Sequence, residues 1–292
     1  MMDNLVLLET PELKRPCLIA AFAGWPDAAE VASRSVNYLR HKLEAKRFAE
    51  LSPEEFFDFA QCRPMVVAEE GALRRLRPPS NDLYYWKNQA GEHDLILLQG
   101  TEPQLKWKTF ADTLIRFAVQ FGVVRILALG GLYDNVPHTR QPKVTGLVNA
   151  VALRGMLQDH GIGLVNYQGP SSIHSVLLAA CSRARVEMLS LWGHAPFYVR
   201  SEANPKVCLA LITVLNRLLG VTVGLEDLEG AAEQMDSMLE RLMAENQHLR
   251  SHVRKLEEQH DAAIAPEGLP EGTDQIIRDV EEFLRREGGG SY

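Results

Sequence analysis

The chain has 292 residues, 46% of them hydrophobic and 24% charged, enough apolar material for one large core or for a core with an appendage. Its net charge of −7 argues against general nucleic-acid binding. No apolar stretch approaches the roughly 18 residues of a membrane span, and Met1-Met2-Asp3-Asn4 lacks the basic and apolar regions of a secretory signal, so a cytoplasmic protein without membrane or nucleic-acid partners is expected.

In chain order, strands are predicted at Leu5–Leu8, Cys17–Ala23, Met65–Ala68, Leu83–Trp86, Asp94–Leu98, Val123–Leu129, Leu164–Tyr167 and Val186–Leu191, where apolar runs are bounded by turn residues. Helices alternate with most of them. Ala28–Leu43 places Val31, Ser35, Leu39 and Leu43 at fourfold spacing, and Phe110–Phe121 aligns Phe110, Leu114, Phe117 and Phe121. Val148–Gln158, Ser171–Ala184 and Pro205–Leu219 follow, while Arg47–Asp58 and Arg74–Asp82 read as irregular excursions. Such repetition predicts a mostly parallel sheet with helices on both faces, an α/β domain over residues 1–222. Cys17, Cys62, Cys181 and Cys208 are widely spaced and fit reduced, packed thiols better than disulfides or a metal site.

After Gly220 the pattern changes. Leu228, Ala232, Met235, Leu239, Leu242, Asn246, Leu249, Val253 and Leu256 alternate spacings of four and three, which predicts one long heptad-patterned helix over residues 223–261. Asn246 falls at an a-type position, where a buried asparagine fixes register. Leu239, Leu242, Asn246, Leu249, Val253 and Leu256 are the expected oligomer or partner contacts, although a stripe broadened by Met238 and Met243 suits packing on the chain's own domain equally well. From Val223 onward 17 acidic residues face 7 basic ones, a balance of −10, leaving about +3 on the first 222 residues. A linker over residues 262–273 and a short amphipathic helix with a glycine-rich tail over residues 274–292 complete the chain.

Four polar segments each begin where a predicted strand ends. The densest is Gly130–Arg140, with a carboxylate, an imidazole, a hydroxyl and a guanidinium. Gly24–Glu30 places Asp27 as a helix N-cap with Glu30 three residues on, in the manner of a capping box. Tyr167–Ser172 offers serines and free amides at a helix start where an anion can sit, and Trp192–Val199 leads into Asn204-Pro205-Lys206. In a doubly wound sheet such loops converge at one edge, so Trp25, Asp27, His138, Thr139, Arg140, Ser171, His194, Tyr198 and Lys206 are the candidate ligand or interface residues. They either form a small-molecule site or tie the sheet edge together. No GxSxG elbow, phosphate-cradling glycine loop or HExxH helix is present, and no catalytic residue, metal set or cofactor is assigned. His248 and His252 stand four apart on the predicted helix and read as a solvated face rather than a metal site.

Gly24-Trp25-Pro26-Asp27-Ala28, Val136-Pro137-His138-Thr139-Arg140, Tyr167-Gln168-Gly169-Pro170, Trp192–Tyr198 and Asn204-Pro205-Lys206, in that order, resemble the signatures of the proteasome assembly chaperone family of the second (PAC-two) type, in its bacterial branch. The resemblance covers about residues 5–219. It implies a three-layer α/β/α sandwich like that of the purine nucleoside phosphorylase and hydrolase group, a homo-oligomer with a trimer favoured, and a proteasome-related partner. Proteasome-binding relatives often end in a hydrophobic-tyrosine-any tripeptide, whereas this chain ends Gly290-Ser291-Tyr292. A chaperone-like or adaptor protein acting through protein contacts is the leading expectation. The alternative is a nucleoside- or phosphate-handling enzyme in which Arg140 holds an anion and His138 or Asp27 moves a proton.

Overall fold

The computed structural model describes residues 4–199 and 203–264; most of the linker, the short helix and the Tyr292 tail expected beyond them lie outside the described residues. The strands are β1 Leu5–Leu7, β2 Cys17–Ala23, β3 Lys46–Leu51, β4 Met65–Glu69, β5 Ala72–Arg77, β6 Asn81–Trp86, β7 Leu95–Thr101, β8 Arg125–Asp134, β9 Val144–Val148, β10 Gly163–Leu164 and β11 Glu187–Pro196. The helices are α1 Val31–Lys42, α2 Trp107–Gln120, α3 Arg154–Asp159, α4 Ile173–Ala184, α5 Pro205–Leu219, α6 Glu226–Glu245 and α7 Gln247–Ile264. Nine strands form one sheet in the order β1-β3-β6-β7-β2-β8-β11-β9-β10, and β4-β5 stands apart as a hairpin.

The centre of the sheet, β7-β2-β8-β11, is parallel, and antiparallel pairs flank it on both sides. Strands buried on both faces need apolar side chains at successive positions, which is why β2 reads Cys-Leu-Ile-Ala-Ala-Phe-Ala without alternation. Its odd-numbered residues Cys17, Ile19 and Ala21 meet α1 and α5 through Val36, Leu39, Leu211 and Leu215. Its even-numbered residues Leu18, Ala20 and Phe22 meet α2 and α4 through Phe110, Leu114, Phe117 and Leu177. The two helical layers around one sheet make the expected three-layer α/β/α sandwich. The thiols of Cys17, Cys181 and Cys208 are packed in these layers, and burial pushes them up to about 11, 12 and 12.

Several expected boundaries move. The apolar run expected to end at Leu129 continues as strand to Asp134, and the run expected to end at Leu191 continues to Pro196, because β8 and β11 stay paired residue for residue to that point. Gly130–Asp134 and Trp192–Pro196 are therefore strand rather than loop. Within the expected excursion at Arg47–Asp58 lies β3, and within Arg74–Asp82 lie the end of β5 and the start of β6. Helix α1 starts at Val31 instead of Ala28, after a 3-10 turn over Ala28–Glu30. The long heptad helix is broken at Asn246, whose backbone is extended and whose Oδ1 accepts the Leu249 amide at 3.0 Å. Asn246 is exposed and caps α7; it is not a buried register residue.

The break turns α7 back onto the α/β body. Leu239, Val253 and Leu256 are buried in this chain, Leu249 is half-buried and Leu242 is exposed. Arg250 closes the corner by donating to the Met243 and Ala244 carbonyls, the free end of α6.

Gly131 admits the Gly24–Glu30 segment to the sheet edge. A Cβ at this position would stand 2.5 Å from the Ala28 carbonyl oxygen, and the Gly131 amide donates to Pro26 O at 2.8 Å. Gly131→Ala should destabilise the fold by about 1–3 kcal/mol through overpacking against backbone that cannot swing aside. Denaturant unfolding of the variant would measure this, and an unchanged midpoint would contradict it.

Candidate functional site at the β8–β11 edge

The extension of β8 and β11 past the body of the sheet sets the site. His194, on β11, is 6% exposed and has both ring nitrogens engaged: Nδ1 lies 2.7 Å from Asp134 Oδ2, and Nε2 lies 2.8 Å from Thr145 Oγ1 on β9. The hydrogen bond from His194 holds the Asp134 carboxyl below the usual carboxylate range. A histidine so tied has no nitrogen left for a substrate proton.

His138 follows in the loop after β8. Its backbone amide donates to Tyr198 Oη at 2.9 Å, and its Nδ1 lies 2.8 Å from the same oxygen. Which of the two donates in that pair depends on the His138 tautomer, and the other ring nitrogen is Nε2. That Nε2 is buried without a hydrogen-bond partner, as is Asp236 Oδ1 across the same small cavity. Burial lowers the His138 pKa and raises that of Tyr198 to about 12. Lys206, on α5, donates from Nζ to His138 O at 2.6 Å and pairs with Asp236 of α6 at 2.7 Å.

Thr139 and Arg140 face α7. The Arg140 fork donates from Nε and Nη2 to the two carboxylate oxygens of Asp261 at 2.9 and 2.7 Å, and from Nη1 to Glu257 Oε1 at 3.1 Å. Thr139 Oγ1 donates to the same Glu257 oxygen at 2.5 Å. His252 sets its ring edge against Phe197 and Tyr198, each with centroids 5.6 Å apart. His252 is thus packed on the body and does not lie on a solvated face. The cavity left under α7 has a volume of about 10 Å³. That is the room one water occupies, far below the few hundred Å³ of a nucleoside pocket.

The structure brings together His138, Thr139, Arg140, His194, Tyr198 and Lys206, but leaves Trp25, Asp27 and Ser171 out. Trp25 is exposed beyond β2. Asp27 Oδ1 accepts the Ala32 and Ser33 amides at 2.7 and 3.2 Å, so its carboxylate is spent on α1, and burial raises its pKa. No capping box forms: Glu30 pairs with Arg34 instead. Ser171 donates to Ser172 O, and Ser172 provides the cap of α4. The α4 amide expected to hold an anion is met from within the chain, where Ile173 N–H donates to Glu102 Oε1 at 2.8 Å. Asp134, the carboxylate of the Gly130–Arg140 segment, completes these networks together with Glu102, Thr145, Asp236, Glu257 and Asp261, which carry no motif of their own.

A model of the PAC2 family matches residues 21–243. The chain belongs to the PAC2 family. A PAC2 family protein from Streptomyces avermitilis has a solved structure that is 32% identical, with 82% of this chain and 99% of that one covered and a TM-score of 0.75. A proteasome-assembly chaperone homologue from Mycobacterium tuberculosis is 30% identical over 81% of this chain and 99% of its own, also with a TM-score of 0.75. An archaeal proteasome activator from Pyrococcus furiosus shares the fold at 21% identity, with 82% and 98% covered and a TM-score of 0.65. A search of curated proteins returns no match. The PAC2 match reaches into α6 but stops before α7, so the helix that covers the edge lies outside it.

The Arg140 contact lowers the Asp261 pKa to about 2, against roughly 3.9 in an unfolded chain. A carboxylate with a depressed folded pKa stabilises docking above the unfolded value and loses that contribution as pH falls through the folded one. Amide-exchange protection across α7 should therefore be full above about pH 4 and decline toward pH 2. In Arg140→Ala it should be lower by on the order of tenfold at neutral pH, with β2 and β8 unchanged. Equal α7 protection in the variant and the wild type would refute the docking role of Arg140.

Proposed function

We propose that this PAC2 family protein is a non-enzymatic, chaperone-like or adaptor protein of the cytoplasm. It acts as a homo-oligomer through protein–protein contacts and has a proteasome-related partner. The observation that carries the reading is the state of the signature residues. Arg140 and Thr139 engage the carboxylates of a helix, and His194 and Lys206 are fully paired within the chain. Chemistry on a small molecule needs an open pocket with convergent groups free to act, whereas this edge grips an acidic helix. The M. tuberculosis relative, a proteasome-assembly chaperone homologue at 30% identity, supports a partner of that class.

The buried, unpartnered His138 Nε2 and Asp236 Oδ1, on residues that line the same small cavity, favour the enzymatic alternative, since titratable atoms without partners suit proton transfer. Two measurements separate the readings. Size-exclusion with light scattering of the full chain, mixed with core proteasome particles and with their unassembled subunits, should show a co-migrating complex with at least one of them. The same protein should show no saturable melting shift with nucleosides, nucleotides or inorganic phosphate. Absence of any complex would overturn the chaperone reading. A saturable shift that disappears in Arg140→Ala would establish the enzymatic one.

A further inference from the structure

Among the described residues the β4–β5 hairpin pairs with no other strand. Every residue of both strands is exposed, including Met65, Val66, Leu73 and Leu76 at 58–70%. An isolated two-stranded ribbon is at best marginally stable in water, because it has no second layer on which to bury an apolar face. This ribbon has such a face. Val66 pairs with Leu76 and Ala68 with Leu73, so these four side chains share one side. The other side carries Met65, Val67, Arg75 and Arg77. Pro64 before the ribbon and Pro78-Pro79 after it stiffen both legs. Among the described residues neither Arg63, Arg75 nor Arg77 makes an ion pair; the bulged Arg74 pairs only with Glu69 near the tip.

A complementary surface stands on the helical layer that contains α5. Helices α5 and α6 border a groove of about 540 Å³, with Leu209, Val214 and Ala232 on its floor and Glu229 and Glu233 on its α6 rim. Glu229 and Glu233 are exposed and make no ion pair among the described residues. The surrounding helix is strongly acidic, with seven Asp or Glu against Arg241 alone. Arg217 on the α5 side is the one cation of the rim besides Lys206, which is already paired, and the arm tip carries Glu69 and Glu70 to face it.

We propose that the β4–β5 arm of one copy seats in the α5–α6 groove of a second copy, with the Val66, Ala68, Leu73 and Leu76 side on the apolar floor and the long side chains of Arg75 and Arg77, rooted on the other side of the ribbon, reaching past its β5 edge to Glu229 and Glu233 on the rim. The inference rests on the oligomeric reading above and deepens it by naming the surfaces. Arm and groove are different patches, so in a closed assembly each copy gives one arm and receives one, by reciprocal exchange between two copies or head-to-tail around a ring. A second copy is chosen over another acidic protein because the apolar floor and the acidic rim that the arm requires are both present on this chain.

The test uses the full chain. Light scattering of the wild type should give an oligomer, and Leu73→Asp/Leu76→Asp should give a folded monomer with an unchanged circular dichroism spectrum, since both side chains are exposed within one copy. Arg75→Glu/Arg77→Glu should weaken association by tenfold or more, and Glu229→Arg/Glu233→Arg in the same chain should restore it. A photo-crosslinker at position 76 should link to α5 or α6 of another copy. An oligomer whose mass survives the Leu73/Leu76 change, or a crosslink that maps to any other element, overturns the arm while leaving the oligomeric reading intact. A monomeric wild type overturns both.

Discussion

Ten consecutive residue pairs, from Arg125 opposite Glu187 to Asp134 opposite Pro196, join β8 to β11, and everything at the polar edge hangs from that register. Parallel strands place their side chains level, so the last pairs put Asp134 and His194 where they meet and present His138 and Tyr198 just beyond. A slip of one residue would turn His194 to the opposite face of the sheet, away from Asp134 and Thr145 together. The glycines at 130, 131 and 193 belong to the same constraint. Each lies where an approaching ring, carbonyl or helix leaves no space for a Cβ, so the strands can run past the sheet's body while the Gly24–Glu30 segment and α5 close in upon them.

That rigid edge then meets a mobile kind of chemistry. Carboxylates on α7 reach Arg140 and Thr139 through exposed or half-exposed side chains, where solvent screening keeps each pair weak. Docking gains its strength from the buried apolar residues of α7, Val253 and Leu256, and its register from the guanidinium fork. The acidic balance of the last seventy residues thereby finds a local use: part of it is matched to the one arginine of the signature loop.

Much of the scaffold was legible because burial on two faces leaves a strong mark. Cys17–Ala23, the Val123–Leu129 run and helices such as Pro205–Leu219 declare themselves by unbroken or 3.6-periodic apolar residues. Strands at or near the edge are marked less evenly: Leu5–Leu8 and Met65–Ala68 still read as strands, whereas others are hidden. Lys46–Leu51 opens with two charges, and in the β4–β5 ribbon apolar residues and arginines stand on an element with no core beneath it. At the site, the signature residues were visible by type and place, but their partners were not. Apart from Asp134, the carboxylate of the Gly130–Arg140 segment, these partners, Thr145, Asp236, Glu257 and Asp261, are ordinary polar residues whose roles come from tertiary proximity across 30 to 121 positions. Asn246 shows the reverse failure. The heptad count passes through it unbroken, yet an asparagine has a side chain able to take over the next turn's amide and end the helix.

The corner at Asn246 leaves the heptad seam intact in sequence while dividing it in space. Val253 and Leu256 are buried within this chain and cannot at the same time face a helix of a partner. A partner that took up the whole seam would have to draw α7 off first, stripping Asp261 and Glu257 from Arg140 as it did so. Occupancy of the seam and closure of the polar edge are thus reciprocally linked, each opposing the other by the same free energy.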